Sequence, residues 1–180
     1  MPTPKAKLAG LALIAALCSG FTLGLTAPAW AGIGWDEAEA EAAYDAGDYA
    51  TAVRKWRPLA KQGNAKAQFK LGRMYHFGWG VPQDNAKAAE WYCKAAEQGY
   101  AEAQFNLGFM YDDGLGVPQD YALAHMWYNL AASKWSLSKG RDLTAKARDR
   151  VAKKMTPEQI AEAQRVAREW MAAFEKRKKK

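Results

Sequence analysis

The 180-residue sequence has few of the residue types that build metal sites, disulfide frameworks and β-sheets. Two cysteines and two histidines exclude a zinc protein with several sites, and their spacing does not resemble a disulfide framework. Valine and isoleucine are scarce along most of the chain, which argues against long β-strands. Hydrophobic residues make up 49% and charged residues 25% of the chain, an ordinary globular balance. The composition therefore indicates an α-helical globular protein.

The first 31 residues are predicted to be a secretory signal peptide. Two lysines precede an apolar run from Leu8 to Leu17, and a small-x-small cleavage pattern ends at Ala31. An uncleaved membrane anchor is the alternative, but the apolar stretch barely reaches the ~18 residues that a span needs. Cleavage predicts a periplasmic or secreted chain. It would also remove Cys18, so we expect Cys93 to be a buried core residue and no intrachain disulfide to form.

The charges of the chain are unevenly distributed. Residues 36–48 contain six acidic and no basic side chains, whereas residues 134–154 contain eight basic and two acidic ones. The C-terminal segment FEKRKKK adds five more bases. This tail is interpreted as a solvated helix end whose bases complement the helix dipole. Contact of Lys176 to Lys180 with an anionic envelope surface is the alternative, and nucleic acid is not an expected partner.

The dominant signal in the sequence is an internal repeat. When residues 64–99 are aligned with residues 100–135, 20 of the 36 positions are identical. Composition alone does not produce this identity, and a period between about 20 and 50 residues is typical of stacked supersecondary units. The repeat predicts an all-α solenoid in which neighbouring units bury each other's apolar faces.

Each repeat is predicted to be a pair of α-helices, because apolar residues recur at three- and four-residue intervals in both halves. Gly72 and Gly108 occupy the same repeat position inside the first helix, where glycine costs about 1 kcal/mol. Their recurrence predicts that a neighbouring helix occupies the space of the missing side chain. The residues assigned to repeat packing are Leu71, Gly72, Tyr75, Trp91, Tyr92, Leu107, Gly108, Tyr111, Trp127 and Tyr128.

The connector between the two helices recurs as GxGVPQD. Its glycines are expected to adopt positive φ at the end of the first helix. Its proline keeps the preceding valine out of the helical region, and its aspartate is expected to cap the second helix. A phosphate-binding loop is a weak alternative, since no Lys-Ser/Thr follows and no strand precedes. The connector residues are Gly78, Gly80, Pro82 and Asp84 in the first repeat and Gly114, Gly116, Pro118 and Asp120 in the second.

The segments that flank the two repeats complete a predicted total of eight helices. A degenerate, tetratricopeptide-like hairpin precedes the repeats, and a pair of capping helices follows them. An apolar stripe of Leu143, Ala147 and Val151 marks the first capping helix, and a capping box at Thr156 starts the second. The predicted divisions are a signal peptide at 1–31, the degenerate hairpin at 32–63, repeats at 64–99 and 100–135, capping helices at 136–174 and a basic tail at 175–180.

Residues 68–99 and 104–132 resemble the Sel1-like repeat, a relative of the tetratricopeptide repeat with the pattern AxxxLGxxYxxGxGVxxDxxxAxxWYxxAAxxG. Residues 155–170 are similar to the closing helix that follows such repeats in exported bacterial proteins. The resemblance implies an α/α superhelix that serves as an adaptor for protein complexes. Some secreted members have a disulfide in each repeat and are linked to β-lactam binding or hydrolysis. Neither full repeat here has paired cysteines, which weakens that enzymatic implication.

The residue types that carry most enzyme chemistry lack the spacing that such chemistry needs. His76 and His125 stand at different repeat positions without a hydrolase or metalloprotease motif, so a surface or capping role is expected. Asp112 and Asp113 are interpreted as turn residues, because the alternating oxygen ligands of a calcium loop are missing. No serine or threonine lies in a recognisable nucleophile setting. The sequence therefore predicts no catalytic residue, metal site or cofactor.

A partner is expected to bind where the two repeats differ, on the concave surface that first helices line in such solenoids. Phe109, together with Phe77, is the predicted anchor, and Lys70 and Arg73 would select an acidic peptide. An ordinary solvated face is the alternative. The predicted peptide-binding residues are Lys66, Lys70, Arg73, Phe77, Glu102, Asn106, Phe109 and Asp113.

These observations together predict a non-enzymatic adaptor in the envelope of a Gram-negative-type bacterium, with another protein or a peptide segment as its partner. Two alternatives stay open. One is a β-lactam- or peptidoglycan-directed hydrolase of the secreted Sel1-repeat type. The other is an envelope-tethering module that uses the basic tail. No integral membrane segment is expected after the signal peptide is cleaved.

Overall fold

A computed structural model describes residues 33–135 and 138–179 of the chain. Within these residues the secondary structure consists of helices and the turns between them. None of these helices is long and apolar enough to cross a membrane. The predicted signal peptide lies outside the described residues. The helices are α1 (Ile33–Asp45), α2 (Tyr49–Lys61), α3 (Ala65–Phe77), α4 (Asn85–Glu97), α5 (Ala101–Asp113), α6 (Tyr121–Lys134), α7 (Ser138–Ala152) and α8 (Pro157–Lys178).

Successive helices pack side by side and form three hairpins, α1–α2, α3–α4 and α5–α6, which stack in chain order. The C-terminal helices depart from this order, because α7 and α8 both pack on α6. The arrangement is a helical solenoid closed by a terminal helix pair. The predicted fold class is thus confirmed, and the eight helices of the described residues match the predicted number.

Polar side chains begin most of these helices, since the first backbone N–H groups of a helix have no partner within it. The carboxylate of Asp84 accepts a hydrogen bond from the Lys87 N–H at 2.9 Å, and that of Asp120 accepts one from Leu123 at 3.0 Å. Thr156 forms the predicted capping box at the start of α8. Two further caps follow the same geometry at Asp48 and Asn64.

A tyrosine ring fills the space beside the recurring helical glycine in both repeats. A Cβ added to Gly72 would lie 2.5 Å from the Tyr92 ring, and one added to Gly108 would lie 2.9 Å from the Tyr128 ring. Both rings are almost completely buried. The glycines therefore let the two helices of each hairpin approach closely, as their recurrence predicts.

The connector of each repeat rests on the preceding hairpin through its second glycine. Gly80 has a φ of 70° and lies against the backbone of Tyr49, the first residue of α2. Gly116 has the same φ and lies against the backbone of Asn85, the first residue of α4. A side chain at either glycine would overlap that backbone. The two connectors therefore set the spacing between successive hairpins in the same way.

Two buried glutamines also join successive hairpins, a role that the sequence analysis did not assign. The Gln68 amide donates a hydrogen bond to the Ala60 carbonyl at 3.0 Å, and the Gln104 amide donates one to the Ala96 carbonyl at 3.1 Å. Both carbonyls lie in the last turn of the preceding second helix, where each also accepts a backbone hydrogen bond from the glycine that follows the helix, Gly63 or Gly99. Both aligned repeats have glutamine at this position, and that recurrence was the sequence signal that could have predicted the role.

The structure corrects the prediction for α7. Leu143 was expected on the buried stripe with Ala147 and Val151, but its side chain is 55% exposed. Thr144 is fully buried instead, because its hydroxyl donates to the Gly140 carbonyl at 2.8 Å and needs no water. Gly140 itself lies against the Trp135 ring. A polar residue thus replaces the predicted leucine on the buried face of α7.

The structure also bears on the expectations for His125 and Cys93. His125 lies in the core with 3% of its surface exposed, and burial lowers its pKa, so the predicted surface or capping role is wrong. Cys93 is buried as expected, and it is disulfide-bonded in the 180-residue chain. The expectation that no intrachain disulfide forms concerns the chain after cleavage of residues 1–31 and stays a prediction. The other cysteine of the sequence, Cys18, lies outside the described residues.

The two recurring tryptophans differ in burial because α8 covers only one of them. Trp127 of α6 is fully buried, and its ring centroid lies 5.8 Å from that of Trp170 in α8. Trp91 of α4 is partly buried, and the Lys94 ammonium lies 4.5 Å from its ring centroid. Because α8 covers Trp127, the tryptophan of the second repeat is more deeply buried than that of the first.

Replacement of Trp127 by alanine is expected to lower the free energy of unfolding by about 3–5 kcal/mol, the usual loss for a fully buried large aromatic residue. Trp91→Ala is the matched control, with the same residue type at the same repeat position. Its loss should be smaller because its ring is partly exposed. Urea unfolding monitored by circular dichroism measures both variants. Equal losses would contradict the role assigned to α8.

Candidate peptide-binding face

Side-chain contacts connect α1, α3, α5 and α7 in a row along one surface of the solenoid, which we call the first-helix face. Lys66 of α3 pairs with Glu37 of α1 at 2.9 Å. The rings of His76 in α3 and Phe109 in α5 lie 6.3 Å apart. Asp112 of α5 pairs with α7, as described below. All eight predicted peptide-binding residues lie on α3 or α5 of this face.

The two predicted lysines on α3 are neutralised by α1. Lys66 contacts both Glu37 and Glu41, and Lys70 pairs with Glu41 at 2.8 Å. The Lys70 side chain is only 15% exposed and also lies over the rings of Tyr44 and Trp56. Burial raises the pKa of Glu41, but hydrogen bonds from Lys70 and Lys66 outweigh it and lower the pKa overall. Both lysine charges are therefore used within the chain.

Arg73 differs from these lysines because aromatic rings surround it instead of carboxylates. Its guanidinium carbon lies 5.4 Å from the ring centroid of Trp79, 5.9 Å from that of Tyr44 and 6.0 Å from that of Phe69. These distances are typical of cation–π contacts. Within the part of the chain that the structure describes, Arg73 forms no ion pair. Its side chain is partly exposed, so its charge is accessible to a partner.

Three stacked aromatic rings lie beside Arg73. Trp79 stacks on Tyr49 with ring centroids 5.3 Å apart and planes inclined by 12°. Phe77 stacks on Trp79 at 4.7 Å and 25°. Phe77 is the outermost ring and is 50% exposed, which is unusual for a phenylalanine beside a core. Phe77 and Arg73 were predicted from the sequence, but Trp79 was not. The signal for Trp79 was that its position in the connector differs between the two repeats.

The second repeat presents a different surface at the same positions. Glu102 and Asn106 are partly exposed, and the Asn106 amide donates to the Glu102 carbonyl at 2.8 Å. Phe109 is partly buried in the row between α3 and α5. Asp113 is exposed at the end of α5. The predicted residues therefore lie on one face, but the exposed aromatic stack belongs to the first repeat alone.

Asp112 forms ion pairs within the chain. The sequence predicted a turn residue at this position. Asp112 lies in the last turn of α5 with a fully buried side chain. Its carboxylate accepts hydrogen bonds from Arg150 at 2.5 Å and from Lys154 at 3.0 Å. These contacts fix the end of α7 against the second repeat. The turn interpretation is wrong because the helix continues to Asp113.

The described residues contain no group of three or more His, Cys, Asp or Glu side chains arranged to hold a metal ion. His76 is partly buried, and burial lowers its pKa. Its ring packs edge-on against Phe77 at 4.5 Å. His76 is therefore part of the aromatic cluster at the end of α3.

Stacked helical hairpins with recurring connector contacts define this chain as a helical-repeat solenoid. Residues 65–100 and 101–134 match the family model of the Sel1 repeat. The chain thus contains two Sel1 repeats. No curated protein matches it. The Sel1-repeat fold is typically a scaffold for protein–protein interaction.

Two solved structures are similar to this chain. One is c5321, a protective antigen present in uropathogenic Escherichia coli strains that displays an SLR fold. It is 30% identical, matches 91% of this chain and 37% of its own, and gives a TM-score of 0.67. The other is a Sel1 repeat protein from Oxalobacter formigenes, 38% identical over 54% of this chain and 40% of its own, with a TM-score of 0.52. This chain therefore spans less than half the length of either protein.

The ion pairs of Asp112 predict an asymmetry between two variants. Asp112→Asn should cost less stability than the double variant Arg150→Met/Lys154→Met, because the cations are 56% and 42% exposed and can regain water. A carboxylate left buried without a counter-ion costs about 3–5 kcal/mol. Urea unfolding at pH 7 ranks the two variants. If Asp112→Asn were the less stable variant, the penalty assigned to the buried, unpaired Asp112 carboxylate would be contradicted.

Proposed function

We propose that this protein is an exported, non-enzymatic adaptor of the bacterial cell envelope, and that it binds a segment of another protein on the first-helix face. One observation carries the proposal. Most of the buried residues of the repeats are shared by both copies, whereas Arg73, Phe77 and Phe109 are not shared and remain partly or largely exposed on one face. Accessible aromatic and arginine side chains are the residue types that most often dominate protein interfaces.

Export is supported by the sequence of residues 1–31, which has the three parts of a secretory signal. An extended face formed by first helices suits a linear or helical segment, because such solenoids offer a long surface instead of an enclosed pocket. The neutralisation of Lys66 and Lys70 by α1 refines the proposed binding set. Among the three cations of the proposed binding set, Arg73 is then the one whose charge is available to a partner.

Site-specific photo-crosslinking tests which face binds the partner. A benzoyl-phenylalanine placed at Asn106, on the first-helix face, is expected to give protein adducts when the full chain is irradiated in its source bacterium. Glu90 is the matched control, since it is exposed on α4, a second helix. Gel shifts and mass spectrometry of the adducts report the result. Adducts at Glu90 but not at Asn106 would contradict the proposed face.

The non-enzymatic part of the proposal has a separate test. The purified protein is expected to leave a chromogenic β-lactam unchanged, because no nucleophile setting was found in the sequence. Absorbance over time measures turnover, and a β-lactamase serves as the positive control. Turnover that follows the protein through purification would favour the hydrolase alternative.

A further inference from the structure

We propose that Phe77 and Arg73 recognise a peptide segment in which an aromatic side chain and a carboxylate are neighbours. The aromatic side chain would lie on the exposed part of Phe77, and the carboxylate would pair with the Arg73 guanidinium. This inference rests on the proposed function, because it specifies the chemistry of the segment bound on the first-helix face.

The aromatic half of the site is the outer end of a stack that is anchored in the fold. Tyr49 begins α2, Trp79 stacks on it, and Phe77 stacks on Trp79. Trp79 and Tyr49 also pack against the core formed by α1, α2 and α3. The inner rings are therefore held in place, while half of the Phe77 surface remains exposed. A ring added to this surface would bury apolar area and extend the stack in an offset or edge-on geometry.

The charged half of the site is a guanidinium that lacks an acidic partner in the described residues. Rings on three sides restrict its movement, so less conformational freedom is lost when it binds. Arginine presents parallel N–H donors that match the two oxygens of a carboxylate. Lys66 and Lys70 do not compete for this ligand, because Glu37 and Glu41 already neutralise them.

Trp79 connects the two halves. Its ring stacks on Phe77 on one side and lies 5.4 Å from the Arg73 guanidinium carbon. An apolar ring on Phe77 and a carboxylate on Arg73 would therefore occupy adjoining positions. This proximity requires that the ligand's aromatic and acidic side chains also be close together.

Repeat packing does not require this combination of residues. The second repeat folds into the same hairpin with Phe109 at the position of Arg73 and Asp113 at that of Phe77. Leu115 of the second repeat is at the position of Trp79, and Asn85, the first residue of α4 in the preceding hairpin, is at that of Tyr49. The same backbone is thus built without the stack and without the cation. The first-repeat residues are therefore available for recognition.

A peptide selection on the full chain tests the proposal. Random heptapeptides displayed on phage are expected to yield binders in which Phe, Tyr or Trp lies beside Asp or Glu. One selected peptide is then synthesised with two variants, acid to amide and aromatic to alanine. Fluorescence anisotropy measures each peptide against the unaltered protein, Arg73→Gln, Phe77→Ser and Leu143→Ser. Leu143 is the matched control because it is a similarly exposed apolar side chain on α7, away from the stack.

The proposal predicts a specific coupling between protein and peptide variants. Arg73→Gln and Phe77→Ser should each weaken binding by about tenfold, equivalent to about 1.4 kcal/mol. Arg73→Gln should bind the acidic peptide and its amide variant equally well. Phe77→Ser should bind the aromatic peptide and its alanine variant equally well. Leu143→Ser should bind like the unaltered protein. If Arg73→Gln does not fold, Arg73→Lys tests the same point, since it keeps the charge but loses the paired donors.

Each failure has a distinct meaning. Selected peptides without an acidic residue, or binding that is independent of Arg73, would overturn the inference. The adaptor proposal would then still be supported if adducts form at Asn106. Absence of both selected peptides and Asn106 adducts would reject the adaptor face and the inference together. Self-association abolished by Arg73→Gln in gel filtration would identify a second copy of this chain as the occupant and overturn the proposed partner.

Discussion

The contact between a helical glycine and a tyrosine ring determines the geometry of each repeat. At Gly72 and Gly108 the absence of a side chain brings the first helix onto the ring of the second helix, Tyr92 or Tyr128. That approach fixes the distance and rotation of the hairpin, and the connector glycine then places it on its predecessor. Because both repeats use the same contacts, their first helices lie in a row and form a continuous face.

The use of shared residues for packing explains where the proposed recognition residues are located. Many positions that are identical in the two repeats are buried or contact rings and carbonyls inside the solenoid, as Gly72, Tyr92 and Gln68 do, so the fold sets their identity. Positions that differ are free of that constraint. Charge alone does not identify a binding residue among them, as Lys70 and Arg73 show. Both are cationic and lie on α3, but the first is paired with Glu41 and the second is surrounded by rings.

The features that could be predicted from sequence are those with local or periodic signals. The helical hairpins and the caps at Asp84 and Thr156 follow from residue spacing over short stretches of sequence, and the close approach at the helical glycines follows from their recurrence in the two repeats. The buried Asp112 could not be predicted, because its partners Arg150 and Lys154 lie 38 and 42 residues further along the chain. The exposure of Leu143 likewise depends on how α7 lies against α6, and no repeat constrains that orientation.

For the proposed binding face, the sequence predicted which residues lie together on α3 and α5 but not which of their charges are paired within the chain. The pairing of Lys66 with Glu37 and the stacking of Trp79 on Tyr49 both join residues 29 to 30 positions apart, on elements that meet only in the folded solenoid. The difference between the repeats at the Phe77 and Trp79 positions was visible in the alignment. The structural consequence of this difference depends on the folded chain, in which the rings are stacked and Phe77 is half-exposed.

The stabilising end of the solenoid and the proposed recognition surface lie in different repeats. Helices α7 and α8 close the second repeat through Asp112, through Trp127 and through Phe174, whose ring lies against Gly99 in the turn before α5. The exposed stack lies on the first repeat, next to α1. Since each unit of a solenoid contacts mainly its neighbours, the surface at α3 can change its side chains without disturbing the cap. Because α7 and α8 close only one end of the solenoid, the side chains on α3 at the other end can vary and change the specificity of the proposed surface.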